Sequence, residues 1–182
     1  PMKPENPTQL NFELATEATE IDKFTLEFKL RDGVTFHNGK PFGAEDVKAT
    51  YEYGSQPDRP AQWYPGQVDV EVVDRLTVRI KTEKYGYPAG LFYYLSSFLP
   101  ILSADDVANP NNAASRPNGT GAFKFVEQDG DNTIMEANEN FFMGKPKIPR
   151  VQYNFVGDTA TRTLGLLSGE YNVTERLEPE QV

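Results

Sequence analysis

Leu26-Glu27-Phe28-Lys29-Leu30-Arg31-Asp32-Gly33-Val34-Thr35-Phe36-His37-Asn38-Gly39-Lys40-Pro41-Phe42-Gly43-Ala44-Glu45-Asp46-Val47 changes its structural period part-way along. From Phe24 to Leu30, apolar and polar residues alternate, which is the period of a half-buried strand. Arg31-Asp32-Gly33 closes that strand with a turn signal, and His37-Asn38-Gly39-Lys40-Pro41 supplies a second turn after Val34-Thr35-Phe36. Gly43 to Tyr53 then reads as a helix. Glu45 and Asp46 fall in its first turn, where carboxylates favour the positive end of the helix dipole. Gly54 and the stretch from Gln56 to Pro60 end it. A strand, two tight turns and a helix in one short span predict a mixed α and β class.

The same reading extends in both directions. Upstream, Pro1 to Asn11 is polar, carries Pro1, Pro4 and Pro7, and is expected to be a loose entry segment without signal-peptide character. Downstream, Val68–Val73 and Leu76–Thr82 predict a hairpin around Asp74-Arg75. Pro88 to Leu95, with Leu91, Phe92, Tyr93 and Tyr94, predicts a buried helix after a proline start. Ser103 is placed to cap a short helix through Val107. Asn109 to Gly119 is the longest loop-like stretch and the best boundary candidate. Beyond it, Ala122–Glu127 and Thr133–Ala137 predict strands around Asp129-Gly130, and Val151–Val156 predicts another. Asp158 is a cap for a helix through Leu167 that Gly169 stops, and Glu175 to Val182 is a charged end. There is no internal repeat.

Composition narrows the function classes. The net charge of −9 disfavours nucleic acid and anionic membranes as partners. Twelve Phe and nine Tyr supply enough bulk for a core, which argues against disorder. No apolar run approaches the roughly 20 residues needed to cross a bilayer. The absence of cysteine removes disulfides, zinc–thiolate sites and cysteine nucleophiles, and the single histidine, His37, removes most triads and multi-histidine metal sites. Binding therefore ranks ahead of catalysis, although an enzyme working through carboxylates alone stays open.

Each candidate motif has a structural explanation beside the functional one. His37 lies between two turns, where a lone histidine serves as a surface residue or local hydrogen-bond donor. Asn118-Gly119-Thr120-Gly121 resembles a phosphate cradle but lacks the Lys-Ser/Thr tail and precedes a strand, so it reads as a turn. Asp129-Gly130-Asp131-Asn132 is too short for a calcium loop and reads as a hairpin tip. Glu45-Asp46 and Asp105-Asp106 are adjacent at helix starts and read as caps, not as acid/base couples. The sequons at Asn118 and Asn172 are expected by chance. Trp63, the sole tryptophan, stands with Tyr64 in a Pro- and Gly-punctuated loop, either as a core plug or as a ligand platform.

The order of motifs adds a resemblance. The opening stretch is similar to the signature segment of the extracellular solute-binding proteins of family 5, the peptide-, dipeptide- and nickel-binding components of ABC importers. Val72-Val73-Asp74-Arg75-Leu76-Thr77-Val78 resembles the family's next strand pair, and Asn118 to Val126 resembles its "G-T-G-P-Y/F-K" strand, with Ala122 in place of proline. Asn138 to Pro146 resembles "N-P-x-Y-W-x-G-K-P", and Leu167-Ser168-Gly169-Glu170-Tyr171-Asn172-Val173 resembles the helix ending "SGEVD".

The resemblance implies an α+β chain with part of a periplasmic-binding-protein-like type II fold, lacking the family's N-terminal start and its second lobe. It implies residues 10–116 as the accessory subdomain of lobe I after a loose 1–9, and residues 117–182 as part of the main subdomain. It also implies a non-enzymatic capture role at the periplasm or outer membrane face, with small peptides as ligand, ABC permease subunits as partners, and neither cofactor, metal nor catalytic residue. Aromatics and neighbours facing the cleft in the family correspond here to Trp63, Tyr64, Ser97 and Phe98. Nickel chelates or oligosaccharides are alternative ligands, and a carboxylate-based carbohydrate-active enzyme or a protein-interaction scaffold are alternative roles. A severed lobe exposes apolar surface, so the isolated chain is expected to self-associate.

Overall fold

The computed structural model describes residues 2–3, 6–10, 12–56, 68–82, 86–91 and 99–175. Its centre is a four-stranded antiparallel sheet in the order β3-β4-β6-β5, where β3 is Ala15–Asp22, β4 Thr25–Leu30, β5 Asp69–Asp74 and β6 Thr77–Lys81. The alternation of β4 decides which face is buried. Leu26 and Phe28 lie opposite Ile80 and Val78, and all four are buried. On the other face Glu27 lies opposite Arg79, whose Nε donates to its carboxylate at 2.9 Å. Val70 and Val72 of β5 continue the apolar row beside β6.

Helix α1 (Ala44–Gly54) covers this face with Ala44, Val47, Tyr51 and Gly54, positions that share one side of a helix. The two turns of the opening stretch set its approach. Thr35 bridges Pro41, and the Phe36 and Gly39 turn closes with Gly39 at φ 84°. Val34, Phe36 and Phe42 are thereby buried, with the Phe36 and Phe42 rings edge to face at 6.2 Å. Gly43 then passes close to the Arg75 backbone; a Cβ there would meet the Arg75 carbonyl oxygen at 3.0 Å.

Helices α2 (Ala104–Ala108) and α3 (Pro110–Ser115) lead away from α1. Ser103 caps α2 by accepting the Asp106 N–H. The Asp46 carboxylate accepts the N–H of both Gly43 and Ala104 at 2.9 Å, joining the starts of α1 and α2. Thr50, fully buried, accepts the Leu102 N–H and donates to the Asp46 carbonyl.

A second sheet follows in the order β7-β8-β9, with β7 Phe123–Asp129, β8 Asn132–Ala137 and β9 Arg150–Asn154. Gly130, at φ 57°, turns the β7–β8 hairpin, as its Asp-Gly signal predicts. Helix α4 (Thr159–Ser168) starts where Asp158 accepts the Thr161 N–H and ends at Gly169 in the left-handed region.

Four expectations need correction. Strand β3 is missing from the sequence reading because Ala15–Asp22 is an edge strand with mostly exposed side chains and no apolar alternation. The polar start, expected to be loose, pairs its backbone as β1 (Met2–Lys3) and β2 (Asn6–Leu10). The expected loop over 109–119 contains α3, which begins at Pro110, a residue suited to the first helical turn. In the expected buried helix after Pro88, Ala89–Leu91 are helical, yet only Ala89 is buried and Leu91 is 47% exposed; Phe92 to Leu95 lie outside the described residues.

Candidate functional site

The ligand-facing candidates Trp63, Tyr64, Ser97 and Phe98 all lie outside the described residues. The described chain flanks them closely. Residue 56, just past α1, precedes the first pair's segment, and buried Val68 follows it. Leu99, packed on the core, follows the second pair.

Within the described residues, the best-built polar site is the joint between the two sheets. His37 and Asn38 stand on the second turn of the opening stretch, and Asn118 to Gly121 form the turn ahead of β7. The His37 N–H donates to the Gly119 carbonyl at 2.8 Å, and the Asn38 N–H donates to Asn118 Oδ1 at 3.1 Å. The imidazole lies across the same turn, with Nδ1 receiving the Gly119 N–H at 3.3 Å and Nε2 at 2.9 Å from the Gly121 carbonyl. Those partners fix the neutral ring with its proton on Nε2. Asn118 Nδ2 donates to Asp106, itself the acceptor of the Ser103 hydroxyl. Buried Asn138 donates from Nδ2 to the Gly121 carbonyl and from its backbone N–H to Ala122. A second pin is Phe142, which packs against the core of the first sheet with the Arg31 guanidinium 5.5 Å from its ring centroid.

Burial holds the His37 ring below histidine's ordinary pKa, and the charge of Lys124 acts in the same direction, while the Gly121 acceptor opposes both. The sequence reading of His37 as a local hydrogen-bonding residue, and of Asn118–Gly121 as a structural turn, fits this geometry. It missed that the two belong together, because no sequence signal links residues some 80 positions apart.

On the second sheet, Lys124, Lys145 and Lys147 with Glu136 and Glu139 border an open recess of about 460 Å³. Lys145 pairs with Glu139 at 2.5 Å and holds its carboxyl below the usual range. Opposite charges in an open hollow do not by themselves enclose a small ligand. The adjacent carboxylates cap helices: Asp46 binds backbone N–H groups, and Asp105 pairs with Lys40. Among the described residues, no group of three or more His, Asp or Glu is placed to hold a metal ion. None of the described helices is long and apolar enough to cross a membrane.

Known proteins resemble this arrangement throughout. The sequence profile described as "Bacterial extracellular solute-binding proteins, family 5 Middle" matches residues 9–182. Heme-binding protein A of Haemophilus influenzae is 31% identical over 186 aligned residues, covering 84% of this chain and 33% of its own length. The oligopeptide-binding protein AppA of Bacillus subtilis, solved with a nonapeptide, is 29% identical with a TM-score of 0.71, covering 87% of this chain and 34% of that one. NikZ of Campylobacter jejuni, solved with Ni(L-His), is 27% identical with a TM-score of 0.76, covering 87% and 33%. The fold is accordingly part of the type II periplasmic-binding-protein architecture. The chain spans between about a quarter and a third of the length of the curated relatives it matches.

Proposed function

Because the chain belongs to the family 5 bacterial extracellular solute-binding proteins, we propose that it is part of the capture component of an ABC importer, binding small peptides outside the cytoplasmic membrane and passing them to the permease. The carrying observation is the match across residues 9–182, joint included, to a family whose relatives are binding proteins. Peptides are favoured because similarity to an oligopeptide-binding protein extends over 93% of the chain. The relatives that carry nickel or heme favour a chelate or a porphyrin as the second reading.

Residues 10–116 act as the accessory subdomain and residues 117–182 as part of the main subdomain of the first lobe. Affinity in such a protein arises from enclosure between lobes, where water is excluded and polar groups are satisfied from both sides. Trp63, Tyr64, Ser97 and Phe98 contribute from this lobe, and extended peptide backbone pairs with strand-like segments. The role is capture without catalysis.

A thermal-shift screen tests this on the full-length parent protein and on the 182-residue chain, with di- to pentapeptides, oligosaccharides, nickel–histidine and hemin. Stabilisation of the parent by peptides, with little or none for the shorter chain, is the expected result. A shift from nickel–histidine or hemin alone replaces peptide with that ligand. No shift from any of them contradicts the capture role.

A further inference from the structure

We propose that His37 is a pH-sensitive latch between the two sheets, holding the Phe36–Gly39 turn on the Asn118–Gly121 turn only while its ring is neutral. The proposal rests on the geometry of the joint and is independent of the capture role.

Both ring nitrogens are committed to backbone groups of one short turn. Nδ1 must present a lone pair to the Gly119 N–H, while Nε2 must present a proton to the Gly121 carbonyl. Adding a proton at Nδ1 sets two N–H groups against each other and removes the first of these bonds. The ring is half-buried, so the new charge is also poorly solvated.

The surrounding charges do not rescue it. Lys124 at the start of β7 repels an imidazolium. On α2, Asp105 is engaged by Lys40 of the histidine's own turn, and Asp106 by Ser103 and Asn118. Loss of the ring contacts leaves the His37 N–H and Asn38 N–H bonds to carry this side of the joint, opposite the Phe142 pin.

The sign follows from linkage. The folded state holds the ring's pKa below its ordinary 6.5. The latch's contribution is therefore fully present above about pH 6.5 and is lost as pH falls from there through the lower folded value.

Because His37 is the chain's only histidine, its titration needs no deconvolution. Long-range ¹H–¹⁵N spectra of the 182-residue chain would report tautomer and midpoint, and hydrogen-exchange protection factors at Gly119 and Asn38 would report opening of the joint. The expected result is an Nε2–H tautomer at pH 7.5 and a midpoint below 6.5. Protection at Gly119 should fall through that midpoint, roughly tenfold for each pH unit by which it lies under 6.5. His37→Gln keeps a donor for the Gly121 carbonyl but cannot titrate, and its protection should not vary over this range. A midpoint at or above 6.5, protection that ignores the titration, or an equal pH dependence in H37Q would each overturn the latch. Should H37Q fail to fold, the titration and exchange of the unsubstituted chain decide the question alone.

Discussion

The two sheets differ in where their apolar side chains go. Around the β3-β4-β6-β5 sheet, Leu26, Val34, Phe36, Phe42, Val78 and Ile80 are at most 2% exposed. Around the β7-β8-β9 sheet and α4, Phe155 is 78% exposed, Leu167 77%, Leu164 66% and Tyr153 63%. The first region closes its own core, with α1 as lid. The second keeps its backbone bonds and caps but presents an apolar face, so its order rests more on hydrogen bonds and on the joint than on burial.

The largest expected effect breaks this contrast at its strong side. Phe42→Ala should cost about 3–5 kcal/mol in urea unfolding, because it opens a cavity between the second turn and α1. The matching truncation on the other side, Leu167→Ala, should stay within about 0.5 kcal/mol, since the side chain already faces solvent. Comparable losses would mean that the two regions are not different in kind.

The exposed face itself gives the next test. Sedimentation velocity of the isolated chain should show concentration-dependent association, and Leu164→Glu with Leu167→Glu should abolish it. A monomer at high concentration would show that the face needs no cover. Local packing sharpens the comparison further. A Cβ at Gly165 would approach the Tyr171 ring to 2.4 Å, so Gly165→Ala should destabilise by about 1 kcal/mol even after its gain in helix propensity. Ser103→Ala, which removes the α2 cap, should cost about as much, and that loss belongs to the first region.

The contrast also separates what was legible in the sequence from what was not. Strand β4, the two turns and α1 were legible because alternation, Asp-Gly and Asn-Gly signals and a Gly-Ala-Glu-Asp start all point the same way. The β7–β8 hairpin and the Asp158 and Gly169 helix ends were legible for the same reason. Strand β3 was not, because an exposed edge strand carries no apolar period; nor was α3, because Asn and Ser residues read as loop until Pro110 is placed at a helix start. The joint stayed hidden because hydrogen bonds from His37 to Gly119 and Gly121 depend on a fold-level encounter that leaves no local pattern. Trp63, Tyr64, Ser97 and Phe98 came from family resemblance, and the ligand-screen comparison is what tests them.

The division between a self-sufficient sheet and a dependent one is tested most directly by residue-resolved hydrogen exchange on the 182-residue chain at pH 7.5. Amides of β4 and β6, in the interior of a sheet with its own core, should outlast those of β9 and α4 by on the order of a hundredfold or more. Equal protection in the two regions would contradict the account and show that the whole chain unfolds as one unit.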